Sequence, residues 1–181
     1  MHVLGEVVLR PLDVDDAEQL YLYKNDPDVG ALLGGVSLGY TRSDIRDWIE
    51  YHRQRKDELL WAIAAADDGR CLGHVGFYKI DYRARSAEFG ILIGDKSQWG
   101  KGHGRRIGGF SVEYGFEMLN LNRIALTVLE GNSVALRLYE KVGFREEGRL
   151  REGQYKRGAY VDLILMSLLR SEWALGGGHG A

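Results

Sequence analysis

The segment Gln98-Trp99-Gly100-Lys101-Gly102-His103-Gly104-Arg105-Arg106 sets three glycines among cations. It lies between two periodic stretches. Upstream, in Glu88–Ile93, the residues Phe89, Ile91 and Ile93 alternate as they would on a strand. Downstream, Ile107, Phe110, Tyr114 and Met118 recur at helical spacing. A strand-to-helix turn of this composition exposes backbone N–H groups at the positive end of a helix dipole, which suits a phosphate. Lys101, Arg105 and Arg106 could add charge to it, and a plain glycine-rich loop is the alternative. Two nucleotide motifs do not fit. A P-loop would need glycine where Asp95 stands and Ser or Thr where Gly102 follows Lys101. A dinucleotide fingerprint would need its third glycine at Arg105 or at Ile107, depending on the starting glycine.

A second constellation follows in Asn132-Ser133-Val134-Ala135-Leu136-Arg137-Leu138-Tyr139-Glu140-Lys141-Val142-Gly143-Phe144. Asn132 is placed as an N-cap, Val134, Leu138 and Val142 form an apolar stripe, and Gly143 marks the C-terminus of a helix. A strand over Ile124–Leu129 separates the two. This order resembles the GNAT superfamily of acetyl-CoA-dependent N-acetyltransferases, from Val7 to about Leu169. Trp99-Gly100-Lys101-Gly102-His103-Gly104 is similar to the family's pyrophosphate loop. Asn132-x-x-Ala135-x-x-x-Tyr139-x-Lys141-x-Gly143-Phe144 is similar to its second CoA-binding helix. Through 85–89, 110–121 and 142–148 the chain looks most like spermidine and ribosomal-protein N-acetyltransferases, to which enzymes acting on nucleotide-linked amino sugars are related.

The resemblance implies an α+β fold: a mixed, mostly antiparallel sheet of six or seven strands, splayed at its centre, with helices on both faces. Acetyl-CoA would lie in the gap. Its pantetheine would run along the backbone of Ile91, Leu92 and Ile93, and its pyrophosphate would take N–H bonds from Trp99, Gly100, Lys101, Gly102, His103, Gly104 and Arg105. Asn132, Ala135 and Lys141 would support the cofactor from the second helix. His103 could equally face solvent. Tyr139 occupies the family's general-acid position, with packing beside Ala135 and Val142 as the other reading.

The chemistry implied is aminolysis of a thioester. Direct attack needs no enzyme nucleophile, and the sequence has no Ser or Cys elbow motif. A backbone N–H near Ile91 could stabilise the oxyanion. The departing thiolate, with a thiol pKa of about 8.5, benefits from an O–H donor. Bringing a Lys-like amine of pKa about 10.4 to its neutral form near pH 7 costs roughly 4 kcal/mol, against about 1 for an α-amine. Glu88, on the strand face opposite Phe89, is a candidate base acting through water, a substrate anchor, or a partner for Arg85. A non-catalytic acyl-CoA-binding module is the competing function.

The acceptor is less legible. Where the family commonly reads Trp-x-Asn-Asp, this chain reads Tyr23-Lys24-Asn25-Asp26, followed by a glycine-rich apolar loop, 27–36, in the region that lines the family's acceptor pocket. Residues 13–28 carry six acids (Asp13, Asp15, Asp16, Glu18, Asp26, Asp28) against Lys24, which could attract a cationic amine or be a solvated face. A small amine or polyamine, an amino sugar and a protein N-terminus all stay open.

The elements that must position these residues are simple. At 181 residues, 45% hydrophobic and a net charge of -2, the chain suits a single domain over 1–170 with a flexible Gly-rich tail over 171–181. No basic excess suggests nucleic acid, no apolar run approaches a membrane span, and no signal-peptide pattern opens the chain. The lone Cys71, expected to be buried, permits no internal disulfide and points to the cytoplasm. The five histidines lack metal-ligand spacing, so no metal is expected. Strands are expected at Glu6–Arg10, Leu60–Ala66, Cys71–Ile80 and Ser86–Ile93, with a turn at Asp67-Asp68-Gly69. A helix follows Asp13, with Ala17, Leu20 and Tyr21 inward. A loop spans Asn25–Tyr40. A capping-box-like start at Thr41–Asp44 opens a helix facing inward with Ile45, Trp48, Ile49 and His52. Glu147–Tyr155 and Tyr160–Leu168 form a closing hairpin through Lys156-Arg157-Gly158, and closing strands of this kind in the family leave a homodimer open.

Overall fold

A computed structural model describes residues 1–34 and 39–175, and within them eight strands form one sheet. In chain order the first elements are β1 (His2–Leu4), β2 (Val7–Pro11), α1 (Ala17–Asn25), α2 (Pro27–Leu32) and α3 (Arg42–Gln54). Then come β3 (Leu59–Ala65), β4 (Cys71–Asp81), β5 (Ser86–Ile93), α4 (His103–Glu117) and β6 (Arg123–Leu129). The last are α5 (Ser133–Val142), β7 (Arg145–Lys156), β8 (Ala159–Leu169) and α6 (Arg170–Leu175). The spatial order is β1-β2-β3-β4-β5-β6-β8-β7, antiparallel throughout except for the parallel pair β5–β6.

The alternation in the strands sorts their side chains onto two cores. On one face Ala62 and Cys71 meet Leu20 of α1 and Ile45 and Ile49 of α3. On the other, Ile63, Val75, Phe77, Phe89 and Ile124 meet Ile107, Val112 and Phe116 of α4 and Tyr139 of α5. Glycines bring α5 close to α4: a Cβ on Gly104 would sit 3.2 Å from Leu138, and one on Gly108 would sit 3.2 Å from Val142. The Thr41–Asp44 capping box is present. The β7–β8 turn has Arg157 and Gly158 both at positive φ (50° and 87°), as a two-residue type I′ hairpin requires.

Five expectations are revised. The sheet has eight strands rather than six or seven, because His2–Leu4, too short to alternate legibly, pairs with β2. The Asn25–Tyr40 loop contains α2, which starts with Asp26 as N-cap and Pro27 in the first turn. Val134 is 69% exposed; the face of α5 that packs is Ala135, Leu138, Tyr139 and Val142. Met118, 70% exposed, lies beyond the end of α4, and Leu121 turns back into the core instead. Part of the expected tail is helix α6, where Trp173 packs on Phe116 at 5.4 Å and Glu172 bonds Arg145. Residues 35–38 and 176–181, which include the rest of that tail, lie outside the described residues. Among the described residues no helix is long and apolar enough to cross a membrane.

The base of α1 is tied to β2 by a bidentate pair, Arg10 Nη1 and Nη2 donating to Asp16 Oδ2 and Oδ1 at 2.8 and 2.6 Å. Asp16 is 4% exposed and also accepts the Asp13 N–H. Asp16→Ala leaves the guanidinium with only the Pro11 and Gly69 carbonyls as partners and is expected to lower unfolding free energy by about 3 kcal/mol in urea titration. Unchanged stability would show that the pair is dispensable.

Candidate active site

The parallel pair β5–β6 joins only at Ser86–Glu88 with Arg123–Ala125. Past that point β6 continues bonded to β8 alone, and β5 continues bonded to β4 alone. The sheet therefore opens into a cleft, and the β5 backbone from Phe89 to Ile93 has a free edge along it. Such an edge can accept an extended polar chain by strand-like bonding.

The glycine turn closes one end of the cleft. Trp99 fastens it, its indole N–H donating to the Ile93 carbonyl at 2.8 Å. Gly102 is the N-cap of α4, in the left-handed region at φ 81°, and no side chain caps the helix. Arg106 is the first to bond back, to the Gly102 carbonyl at 3.2 Å. The N–H groups of His103, Gly104 and Arg105 therefore lack intrahelical acceptors. A Cβ at Gly100 or Gly102 would meet nothing within 4 Å, so both border open space. These residues fit a pyrophosphate.

Over the cleft lies α5. Tyr139 is buried, edge-on to Phe89 (6.4 Å) and Phe144 (5.8 Å). Its hydroxyl has no hydrogen-bond partner among the described residues, and burial pushes its pKa up to about 12. Glu88 is at the mouth of the split. Its carboxylate is 54% exposed and held by Lys79 Nζ at 2.8 Å. Arg85, the partner considered from sequence, instead bonds Asn120.

Beside the cleft a cavity of ≈ 280 Å³ is lined by Lys24, Tyr40, His74, Tyr78 and Lys156, by Gly30, Leu33 and Gly34 at the end of α2, and by Gly90, Ile91 and Leu92. The Tyr-Lys-Asn-Asp run builds much of it. Tyr23 packs on Gly94 and donates to the Cys71 carbonyl at 3.1 Å. Lys24 points over the Trp48 ring at 4.0 Å. Asn25 clamps Tyr40 through both its amide atoms, and Asp26 caps α2. From the far end of the chain, Lys156 Nζ and Arg157 donate to the Gly30 and Pro27 carbonyls, pinning the hairpin tip on α2. His74, buried beside Trp48 and Tyr78, is pushed down to about 3 by desolvation and stays neutral.

A family model described as an acetyltransferase (GNAT) domain matches residues 6–145. The chain belongs to the GNAT acetyltransferase family. It is 31% identical over 171 residues to the putative ribosomal N-acetyltransferase YdaF of Bacillus subtilis, covering 92% of this chain and 93% of YdaF. It is 29% identical over 168 residues to the spermidine N(1)-acetyltransferase of Escherichia coli K12, covering 92% and 88%. Its structure matches the Vibrio cholerae spermidine N-acetyltransferase crystallised with CoA and spermine at a TM-score of 0.85, with 29% identity over 93% of this chain and 98% of that one. As a GNAT acetyltransferase the chain takes its acetyl group from acetyl-CoA.

Against that GNAT framework the sequence-derived residues fall into three groups. Ile91, Leu92, Ile93, Trp99, Gly100, Lys101, Gly102 and Arg105 border the cleft or its glycine turn. Asn132 and Ala135 are engaged with each other: the Asn132 side chain accepts the Ala135 N–H at 3.1 Å and donates to the Leu32 carbonyl at 3.1 Å. Lys141 is exposed on α5. Two side chains depart from the expectation. His103 is 2% exposed, with no hydrogen bond to either ring nitrogen and Nε2 3.8 Å from Glu6 Oε2, so its imidazole is covered and its backbone N–H is what it offers the turn. Arg106 instead donates to the Leu4 carbonyl at 3.2 Å in the β1–β2 turn. Gly104 keeps its N–H at the turn, and its missing Cβ also lets Leu138 of α5 approach. Sequence reasoning missed His74, Tyr78 and Lys156. Nothing local marks them, since β-sheet register and a contact between positions 30 and 156 bring them together. Among the described residues no group of three or more His, Cys, Asp and Glu could hold a metal ion.

Proposed function

We propose that this enzyme acetylates a small-molecule primary amine by direct attack on acetyl-CoA, with Tyr139 as the acid for the departing thiolate. The observation that carries this reading is shared lining: Gly90, Ile91 and Leu92 border both the cleft and the cavity beside it. An acetyl group carried along β5 and an amine in the cavity would meet there. Both partners therefore come within reach without an enzyme-bound acetyl group.

The neutral amine attacks the thioester carbon, and a free N–H of the β5 edge takes the oxyanion. The C–S bond then breaks. Sulfur takes a proton from Tyr139, which regains one through solvent from the acylated nitrogen. Cys71 is no competing nucleophile: it is buried, donates to the Gly73 carbonyl, and desolvation pushes its pKa up to about 12.

The acetyl donor and an unpaired thiol such as Cys71 suit the cytoplasm. The open edge of β7 offers a place for a second copy to pair.

Free-thiol release from acetyl-CoA across an amine panel, with mass spectrometry of the products, tests the reading. Acetyl-CoA binding with no acetylated amine would favour the non-catalytic module. For Glu88, held in an ion pair with Lys79 outside the cavity lining, Glu88→Gln is expected to slow turnover by less than ~10-fold, equally at all pH values. A larger loss that shrinks as pH rises would restore Glu88 as the base.

A further inference from the structure

The acceptor cavity is lined by two lysines and no carboxylate. Residues 35–38, Gly-Val-Ser-Leu, cannot supply one. The acids that stood out in sequence are engaged elsewhere. Asp26 and Asp28 both hold Lys96 at 2.8 Å. Asp16 holds Arg10, Glu18 holds Arg42, and Asp13 is 3.5 Å from Arg53. Glu58 holds His52, and Glu88 holds Lys79. Five of the six acids in 13–28 are thus held by cations, Asp15 being the exception, and none of the six lines the cavity.

The two cations are differently placed. Lys24 has no carboxylate and no hydrogen bond among the described residues. Its ammonium is stabilised only by the faces of Trp48 at 4.0 Å and Tyr40 at 5.8 Å. Desolvation lowers its pKa to about 8. Lys156 gives one N–H to the Gly30 carbonyl at 3.1 Å, which leaves donors free. They come from α1 and from the tip of β7, and His74 between them is neutral. A half-buried cation without a counter-ion, in a cavity with a second cation, is complementary to an anion and repels further positive charge.

We propose that the acceptor is a small primary amine bearing a carboxylate or a phosphate, held by Lys24 and Lys156, and that polyamines are disfavoured. The inference rests on the acetyltransferase reading above. It distinguishes this chain from the spermidine N-acetyltransferases that it resembles. A cavity of ≈ 280 Å³, open on one side, has room for an amino acid or a monosaccharide.

The test measures CoA release with three arms. L-amino acids are set against their amides, glucosamine 6-phosphate against glucosamine, and spermidine and spermine stand alone. In one of the first two arms the anionic amine is expected to exceed its neutral counterpart in kcat/KM by ~10–100-fold, with the polyamines lowest. The arm that responds identifies the anion. Lys24→Met and Lys156→Met should each raise KM for that acceptor by about 10-fold, with a smaller change for the neutral counterpart and none in KM for acetyl-CoA. Equal turnover of charged and neutral amines, or a preference for polyamines, would overturn the anion anchor and leave the acetyltransferase reading standing. Lysine variants that affect both acceptors alike would also overturn it. Acetyl-CoA binding with no CoA released in any arm would overturn both.

Discussion

Tyr139→Phe is expected to lower kcat by ~10²–10⁴-fold and to leave acetyl-CoA affinity nearly unchanged. The substitution removes one oxygen. The ring stays edge-on to Phe89 and Phe144, so the α5–β5 contact that it fills is conserved. Its hydroxyl has no hydrogen-bond partner among the described residues, so the loss strands no other buried group, and stability should hold. With a pKa near 12 the phenol stays protonated across the accessible range, and removing it should lower rates at every pH rather than on one limb of the profile. Rapid-quench turnover distinguishes chemistry from product release. A folded variant with a normal chemical step would reduce Tyr139 to packing.

Gly102→Val is expected to weaken acetyl-CoA binding on the order of 10²-fold, from disturbed N–H contacts worth about 1.5–3 kcal/mol each. Gly102 is in the left-handed region, and a Cβ there would meet no protein atom within 4 Å. The new side chain would enter the space facing the α4 N–H groups while costing the fold only about 1–2 kcal/mol of backbone strain. Gly69→Val supplies the control. Gly69 has a similar φ of 73° and similar free space, in the β3–β4 turn away from the cleft. It should lose comparable stability and keep its acetyl-CoA affinity. Equal affinities in the two variants would remove the glycine turn from the cofactor site.

What the sequence made legible was what local chemistry determines. Alternation located seven strands, and the Thr41–Asp44 capping box located α3. The glycine turn announced itself because N–H presentation depends on a few consecutive residues. Periodicity was weaker at choosing faces. Val134 and Met118 fit a helical stripe by spacing, yet one lies on the outer side of α5 and the other past the end of α4. Alternation put Glu88 on the face opposite Phe89, but it could not show that the carboxylate there is exposed and paired with Lys79. It also could not show that His103, in the first turn of α4, is covered. The cavity beside the cleft was hidden for a different reason. Lys24, His74 and Lys156 lie far apart in sequence and meet through sheet register and the docking of the hairpin tip on α2. Five of the six acids that seemed suited to a cationic amine are held by partners that only the folded chain reveals.

Direct transfer to the amine is the central claim, and a single-turnover experiment with labelled acetyl-CoA tests it most directly. Enzyme is mixed with a stoichiometric amount of donor, with and without a competent amine, and free CoA, acetylated amine and intact protein mass are followed together. With amine present, CoA and the acetylated amine should appear at one common rate; without it, no CoA should be released and the protein mass should not change. A burst of CoA in the absence of amine, with the label retained on the protein, would show an acetyl-enzyme and contradict direct attack in the β5–β6 cleft.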